Sequence, residues 1–403
     1  MKNLSILLTL IIVLFSCTQK KEVDNIVDLT TLTEPDVTNL SELGSDITYI
    51  PLETNANFLL SQIDKLIYEG ESWLILGSVN PSVAVRDKNA PPPPPMMPKR
   101  SVYRFSKAGD FICQISQQGG GPSEYRFIEE FLYNKSNNTV DIFSLGEIKE
   151  FSLDGKWIKN TTIENKEVTS LAYTNNQLLG FVYNGHGQSE YSFVLIDENG
   201  QTTNKYKNKY KFNVSTGVVI INPECIFYQY DGILHCKELN SDTIFSFDNG
   251  TFNPKYILKQ GEAKYTTAVR EKGNSAELDQ YIIPENFFET NNYLFYQYRW
   301  KSRNNCLIQN KSNSTQYLID NEMGLVNDLD NGPNFKIQNV VTIDDAEYLI
   351  SWINAFELKT HINSEAYKNS TPLHPEKKKE MEQLANRMDE NNNPVLVLVK
   401  LKK

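Results

Sequence analysis

Four stretches decide the fold: Val102-Tyr-Arg-Phe-Ser-Lys-Ala-Gly109-Asp-Phe-Ile-Cys113, Ile148-Lys-Glu-Phe-Ser-Leu-Asp-Gly155-Lys-Trp-Ile158, Phe193-Val-Leu-Ile-Asp-Glu-Asn-Gly200-Gln-Thr202 and Thr243-Ile-Phe-Ser-Phe-Asp-Asn-Gly250-Thr-Phe252. Each reads as a strand, a polar turn ending in Gly, and a second strand. The Gly supplies the positive φ that a tight hairpin turn requires. From one stretch to the next these glycines advance by 46, 45 and 50 residues, the length of one four-stranded propeller blade.

The intervening sequence supplies the other half of each repeat, a second pair of strands around a polar turn. These pairs are 127–133 with 139–143, 168–173 with 177–183, 225–230 with 233–238, and 281–288 with 293–299. A fifth outer hairpin is expected at 306–309 with 315–319. A sixth blade starts at 335–343 and 347–353, takes the C-terminal strand 395–401, and needs one strand more, which the N-terminal run 47–52 can supply. The expected fold is therefore all-β, a six-bladed β-propeller whose last blade is closed by both chain ends, leaving no open edge in the ring. The blades fall at about 62–116, 126–162, 167–206, 224–258, 281–320 and 335–401.

Order and spacing give the chain a resemblance to the six-bladed β-propeller lipoproteins of the Bacteroidota, themselves similar to NHL-repeat propellers. The residues that carry it are Tyr49-Ile-Pro-Leu-Glu-Thr54, Gly119-Gly-Gly-Pro-Ser-Glu-Tyr125, Ile148-Lys-Glu-Phe-Ser-Leu-Asp-Gly-Lys156, Asp242-Thr-Ile-Phe245 and Asn393-Pro-Val-Leu-Val-Leu-Val-Lys-Leu-Lys402. Ser123 stands where that family often has Gly. The resemblance implies a fold and an envelope setting; it implies no substrate and no catalytic residues.

The N-terminus points the same way. Met1-Lys2-Asn3 precedes an apolar run from Leu4 to Phe15, then Ser16-Cys17. A short basic region and about a dozen apolar residues make a secretory signal, too short for a comfortable membrane span. Leu14-Phe15-Ser16-Cys17 resembles a bacterial lipobox, with Cys17 as the acylated residue. The expected organisation is a signal peptide at 1–16, a tether and lead-in at 17–45, and the propeller at 46–403 with a helical insertion at about 361–393. The expected location is the outer membrane, on a side the sequence leaves open, with membrane contact through the lipid alone.

Composition limits the partners. Of 40 basic residues one, Lys2, leaves with the signal, so 39 face 50 acidic ones. An acidic body argues against nucleic acid, which is bound through basic surface. Four histidines, scattered and without ligand spacing, give no metal site, and no cofactor motif is present. Cys225 and Cys236 flank the Asp231-Gly232 turn; in a two-residue hairpin Cys225 faces Glu238, so the two thiols are only diagonal neighbours and are expected to be free.

Strand order also separates the two faces of the disc. The turns inside each hairpin are short and lie on one face. On the other lie Asn80–Arg100 with its run Pro91–Pro95, Asn184–Glu190, Trp300–Asn304, the excursion His361–Asn393, and the inter-blade connections 119–125, 207–223 and 259–280. Binding residues concentrate on loops carried by a rigid scaffold, so this elaborated face is the expected binding face. Candidate ligand contacts are Tyr125, His186, Glu190, Arg299 and Arg303, with solvated loop residues as the alternative reading. Tyr183, Tyr298 and Trp300 are aromatic companions suited to a glycan or peptide, or to blade packing. Pro375 to Met388 reads as a helix with Pro at its first position, packing as a lid or brace. No nucleophile elbow or catalytic triad can be assembled. The leading expectation is a non-catalytic binding module for a glycan, a peptide or an envelope protein. The alternatives are a lyase or hydrolase acting on an extracellular polysaccharide or peptide, and a structural subunit of an outer-membrane complex.

Overall fold

A computed structural model describes residues 25–55, 59–79, 99–175, 177–214, 220–273 and 275–402. The signal peptide, Cys17 and the proline run lie outside the described residues. Two N-terminal strands, β1 (Ile26–Asp28) and β2 (Gly44–Pro51), precede the first blade. Blade one is β3 (Leu60–Tyr68), β4 (Ser72–Val79), β5 (Lys99–Ser106) and β6 (Phe111–Gln114). Blade two is β7 (Glu130–Asn134), β8 (Thr139–Ser144), β9 (Glu147–Ser152) and β10 (Trp157–Thr162). Blade three is β11 (Val168–Thr174), β12 (Gln177–Val182), β13 (Tyr191–Ile196) and β14 (Thr202–Lys207). Blade four is β15 (Cys225–Tyr230), β16 (Ile233–Glu238), β17 (Thr243–Asp248) and β18 (Thr251–Lys259). Blade five is β19 (Ile283–Glu289), β20 (Tyr293–Trp300), β21 (Arg303–Asn310) and β22 (Gln316–Asp320). Blade six joins β23 (Asn339–Ile343), β24 (Ala346–Ile353) and β25 (Val395–Leu401) to β2.

The closure is as expected: β2 pairs antiparallel with β25, from Gly44 opposite Leu401 to Pro51 opposite Val395. Asn393 fastens the joint. Its side chain accepts from Leu60 N (2.7 Å) and donates to Glu53 O (2.7 Å), and its own N–H donates to Thr54 Oγ1 (2.8 Å). The first strands of successive blades lie side by side around the axis. Alternating apolar residues of both sheet faces then meet the neighbouring blades, so six core clusters lie one per seam. The repeat glycines serve these seams as well as their turns. A Cβ on Gly200 (φ +80°) would stand 2.2 Å from Thr162 O of the preceding blade, and one on Gly109 (φ +97°) 2.3 Å from Pro51 O.

Three features differ from the sequence reading. The lead-in is part of the body: β1 adds a fifth, parallel strand outside β18, with Val27 and Leu29 buried in the seam of blades four and five. The stretch 300–304 is no loop, because Trp300 pairs with Arg303 across a two-residue turn in which Lys301 and Ser302 both take positive φ (53° and 57°). The helical insertion begins earlier, with α2 (Ala355–Ile362), after a short α1 (Thr267–Glu271) in the connection from blade four to five; α3 (Glu365–Lys368) and α4 (Pro375–Arg387) complete it. Met381, Ala385 and Met388 pack against Ala355, Leu358 and Ile362. Lys359 donates to the α4 carboxyl-end carbonyls of Ala385 (3.2 Å) and Met388 (2.7 Å), a cation satisfying acceptors that a helix end leaves open. Backbone bonds from Leu373 to Asp328 and from His374 to Leu329 fasten this brace to the ring. Among the described residues no helix is long and apolar enough to cross a membrane.

Candidate functional site: a polar cleft on the elaborated face

A buried polar group on the elaborated face lies between blades three and four. It is assembled from separate elements. Asn184 comes from the β12–β13 loop, Asn208 and Tyr210 from the chain leaving blade three, Glu224 from the entry to β15, Glu238 from the end of β16, and Arg270 from α1. These side chains line a cavity of about 10 Å³, room for about one water. Glu224 and Arg270 are both buried and joined by an ion pair. The second Glu224 oxygen accepts from Asn184 N (3.0 Å), and Arg270 lies over the Phe212 ring at 4.6 Å. A buried pair is stable only when its remaining donors and acceptors are met. Here Arg270 Nε is buried without a hydrogen-bond partner.

Glu238 faces the same cavity. Burial pushes its carboxyl up to about 7, against hydrogen bonding from Ser192 and the charge of Lys237. Lys237 is itself fully buried, its Nζ donating to the carbonyl oxygens of Glu238 (2.8 Å) and Leu239 (3.5 Å), and burial draws it down to about 8. The cleft thus holds a carboxyl able to change charge near neutrality beside a fixed guanidinium. A larger, open cavity of about 630 Å³ lies elsewhere on the elaborated face, lined by Thr54, Asn55, Leu59, Lys359 and residues 389–392.

The five residues singled out in the sequence do not converge. His186 is exposed in the loop that roofs the cleft, its ring edge-on to Tyr183 at 6.3 Å, and Glu190 is exposed at the end of that loop. Arg299 and Arg303 sit two blades away, paired with Glu285 (3.0 Å) and Glu34 (2.5 Å). Tyr125 is 1% exposed and its hydroxyl is spent on Ser101 and the Arg100 carbonyl. Among the described residues no hydrogen bond, ion pair or ring contact joins any two of the five. Tyr298 is buried in the seam of blades four and five, and Trp300 is half-buried with its N–H on Gln280 O at 3.3 Å. Cys113, Cys225, Cys236 and Cys306 are all free, and Cys225 faces Glu238 across the hairpin.

Sequence reasoning passed over the opposite face, where the seam of blades four and five holds a dense polar network. Glu289 is inaccessible and accepts from Lys255, Lys311 and Tyr256 at 2.8 Å each and from Tyr228 at 3.3 Å, which saturates the acceptor sites of a carboxylate. His235 stacks on Tyr228 at 4.7 Å, with Nδ1 3.0 Å from Ile233 O and Nε2 2.9 Å from Lys255 Nζ. Burial, then the Lys255 charge, lowers its pKa to about 4, so the ring is neutral. Tyr228, Lys255 and Tyr256 of blade four thus meet Glu289 of blade five, a polar rivet between the two blades. No sequence signal marks it, since its members are spread over four strands and one turn.

The model of a family described as a domain of unknown function, DUF4934, matches residues 96–400. A crystal structure of a protein assigned as exported, from Bacteroides fragilis NCTC 9343, superposes with a TM-score of 0.66 at 17% identity, covering 94% of this chain and all of the other. A DUF4221-family member from Bacteroides vulgatus ATCC 8482 gives 0.49 at 10% identity, over 89% of this chain and 97% of the other. No curated protein matches. The first likeness agrees with the propeller fold, and the family match spans three-quarters of the sequence: the chain belongs to the DUF4934 family.

Proposed function

We propose that this chain is an exported, lipid-anchored propeller of the outer membrane. It works there as a non-catalytic binding module, recognising a glycan, a peptide or an envelope protein through the elaborated face. The observation that carries the reading is the separation of the two faces. Long connections and the polar cleft of Asn184, Glu224, Glu238 and Arg270 share one face, whereas the hairpin turns on the other are short. Export is supported by the apolar N-terminal run and by the exported Bacteroides relative; anchoring is supported by Ser16-Cys17.

The test is a thermal-shift screen of the chain from Asp24 onward against glycans, peptides and cell-envelope fragments. A ligand-specific rise in melting temperature, reduced by His186→Ala or by Glu190→Ala in the loop beside the cleft, supports the reading. A rise untouched by these changes and lost on altering the short turns overturns it. Labelling by radioactive palmitate that disappears in Cys17→Ala tests the anchor separately. One observation favours a second reading, an enzyme acting on a polysaccharide or peptide: a carboxyl with a pKa near 7, as at Glu238, is what acid–base catalysis needs. Turnover of a polymer that Glu238→Gln abolishes without weakening binding would select it.

A further inference from the structure

One stretch of the rim of this acidic chain is strongly basic. From Lys205 to Lys211 the sequence reads Lys-Tyr-Lys-Asn-Lys-Tyr-Lys, and no acidic residue occurs between Glu198 and Glu224. The stretch is the end of β14 and the chain that leaves it. Burial alternates along it: Lys205, Lys207, Lys209 and Lys211 are exposed, whereas Tyr206, Asn208 and Tyr210 are half-buried and Phe212 is buried. The four ammonium groups therefore face solvent, while Asn208 and Tyr210 line the cleft behind them. Among the described residues no carboxylate forms an ion pair with any of the four. Lys205 and Lys209 only overlie the Tyr191 and Phe245 rings, at 5.5 and 5.9 Å.

The chain departs for Cys17 from the adjoining blade. There β1 is pinned to the outer strand of blade four, with Ile26 opposite Ile257 and Asp28 opposite Lys259. The outer strand of blade three packs against that blade: the Tyr206 hydroxyl donates to Gly250 O (2.9 Å), and its ring meets Phe247 and Phe252 edge-on at 5.6 and 5.0 Å. On β18, Phe252 lies five residues before Ile257, about 17 Å at the rise of a strand. Cys17 precedes Asn25 by eight residues, which span at most about 29 Å. A bilayer that holds an acyl chain on Cys17 therefore has its surface within about 29 Å of Asn25, a reach that includes the lysine track.

We infer that the track Lys205–Lys211 is a second membrane contact, lying on the anionic phospholipid surface that holds the anchor. The inference rests on the proposed anchor for the position of the bilayer, but not for the chemistry of the contact. Lysines beside an anionic leaflet strengthen attachment by about fivefold each, and salt screens the attraction. A basic patch next to an acylated residue gives the two-signal attachment that stable anchoring requires. The rest of the body is acidic and is repelled by the same surface, so the track selects which side approaches. Blades three and four face the bilayer. Blades six and one, opposite them in the ring, stand farthest from it, and with them the open cavity beside Thr54 and Lys359.

The first experiment is co-sedimentation of the chain from Asp24 onward, which lacks Cys17, with vesicles of phosphatidylcholine alone or with about one-third phosphatidylglycerol. Preferential binding to the anionic vesicles is expected, lost at high salt. Lys205→Gln, Lys207→Gln, Lys209→Gln and Lys211→Gln together should weaken it by roughly several hundredfold, with an unchanged circular dichroism spectrum showing that the variant is folded. The second experiment footprints the acylated full chain in the same anionic vesicles with an amine-acylating reagent, read by mass spectrometry. The four lysines should be protected relative to the protein in detergent, while Lys156, on the short-turn face of blade two, stays reactive. Equal binding to both kinds of vesicle, or track lysines as reactive in vesicles as in detergent, overturns the inference. Binding to polygalacturonate but not to anionic vesicles would assign the track to an acidic glycan and overturn it as well. A Cys17 that takes no palmitate would remove the anchor and leave the co-sedimentation result standing, so the two readings fail separately.

Discussion

Asp141→Asn should remove a pH dependence that the wild-type protein carries through neutrality. Asp141 is buried on β8; one carboxylate oxygen accepts from the Tyr173 hydroxyl of the next blade, and the other, Oδ1, is without a hydrogen-bond partner. Burial pushes its pKa up to about 7, from an ordinary value of 3.8. A raised carboxyl favours the fold at low pH, where the native state holds a proton that the unfolded chain lacks. That advantage is lost as pH rises through about 7. At pH 8.5 both states are ionised and the term vanishes; at pH 5.5 it amounts to about 2 kcal/mol for a native pKa of about 7. Asparagine cannot ionise, and its carbonyl can still accept from Tyr173. The stability of Asp141→Asn relative to wild type, from urea denaturation at the two pH values, should therefore be higher at pH 8.5 than at pH 5.5 by about 2 kcal/mol. Taking the difference between variant and wild type cancels other titrating groups, including Glu238. An equal difference at both pH values would show that Asp141 is already charged at pH 5.5 and that the reasoning is wrong.

Other outcomes follow from the same geometry. His235 is held neutral with a pKa of about 4, so its own contribution to stability should fall as pH drops from about 6.5 to 4, by up to about 3 kcal/mol; the stability of His235→Gln relative to wild type should therefore rise over that range, and an unchanged difference would refute the assignment. Gly200→Ala should cost clearly more than Gly70→Ala, by about 1–3 kcal/mol in urea melts: both have positive φ, but only at Gly200 does the new Cβ meet a neighbouring blade, whereas Gly70 has open space. Equal costs would mean the seam yields. Val27→Asp should release β1 without unfolding the ring, seen as faster Glu-C cleavage at exposed Glu34 with little change in melting temperature; unchanged cleavage would mean that β1 is held by more than its buried face.

The blades were legible because each outer hairpin repeats a physical necessity. A tight turn at Gly109, Gly155, Gly200 or Gly250 needs positive φ, and all four glycines have it. The closing strand followed from arithmetic, since three strands of blade six left one to find. What escaped had no local signal. The strand β1 is three residues long and parallel, so no turn announces it. The turn Lys301-Ser302 lacks the Asn-Gly or Asp-Gly chemistry that marks a two-residue hairpin, so nothing local distinguishes it from a loop. The start of α2 follows β24 with only Asn354 between, so an apolar run crosses from strand to helix without a break. For the site, the sequence located the loop carrying His186 and Glu190 but not the cleft beneath it. Glu224, Glu238 and Arg270 are far apart in the chain and meet only because two blades and α1 do.

Hydrogen–deuterium exchange of the chain from Asp24 onward, with and without a ligand found in the thermal-shift screen, tests the division of labour between the faces most directly. The account predicts slower exchange on ligand binding in residues 183–190, 207–214 and 262–280, around the cleft of Glu238 and Arg270. Slower exchange confined to the short turns at 134–138, 231–232 and 290–292 would contradict it.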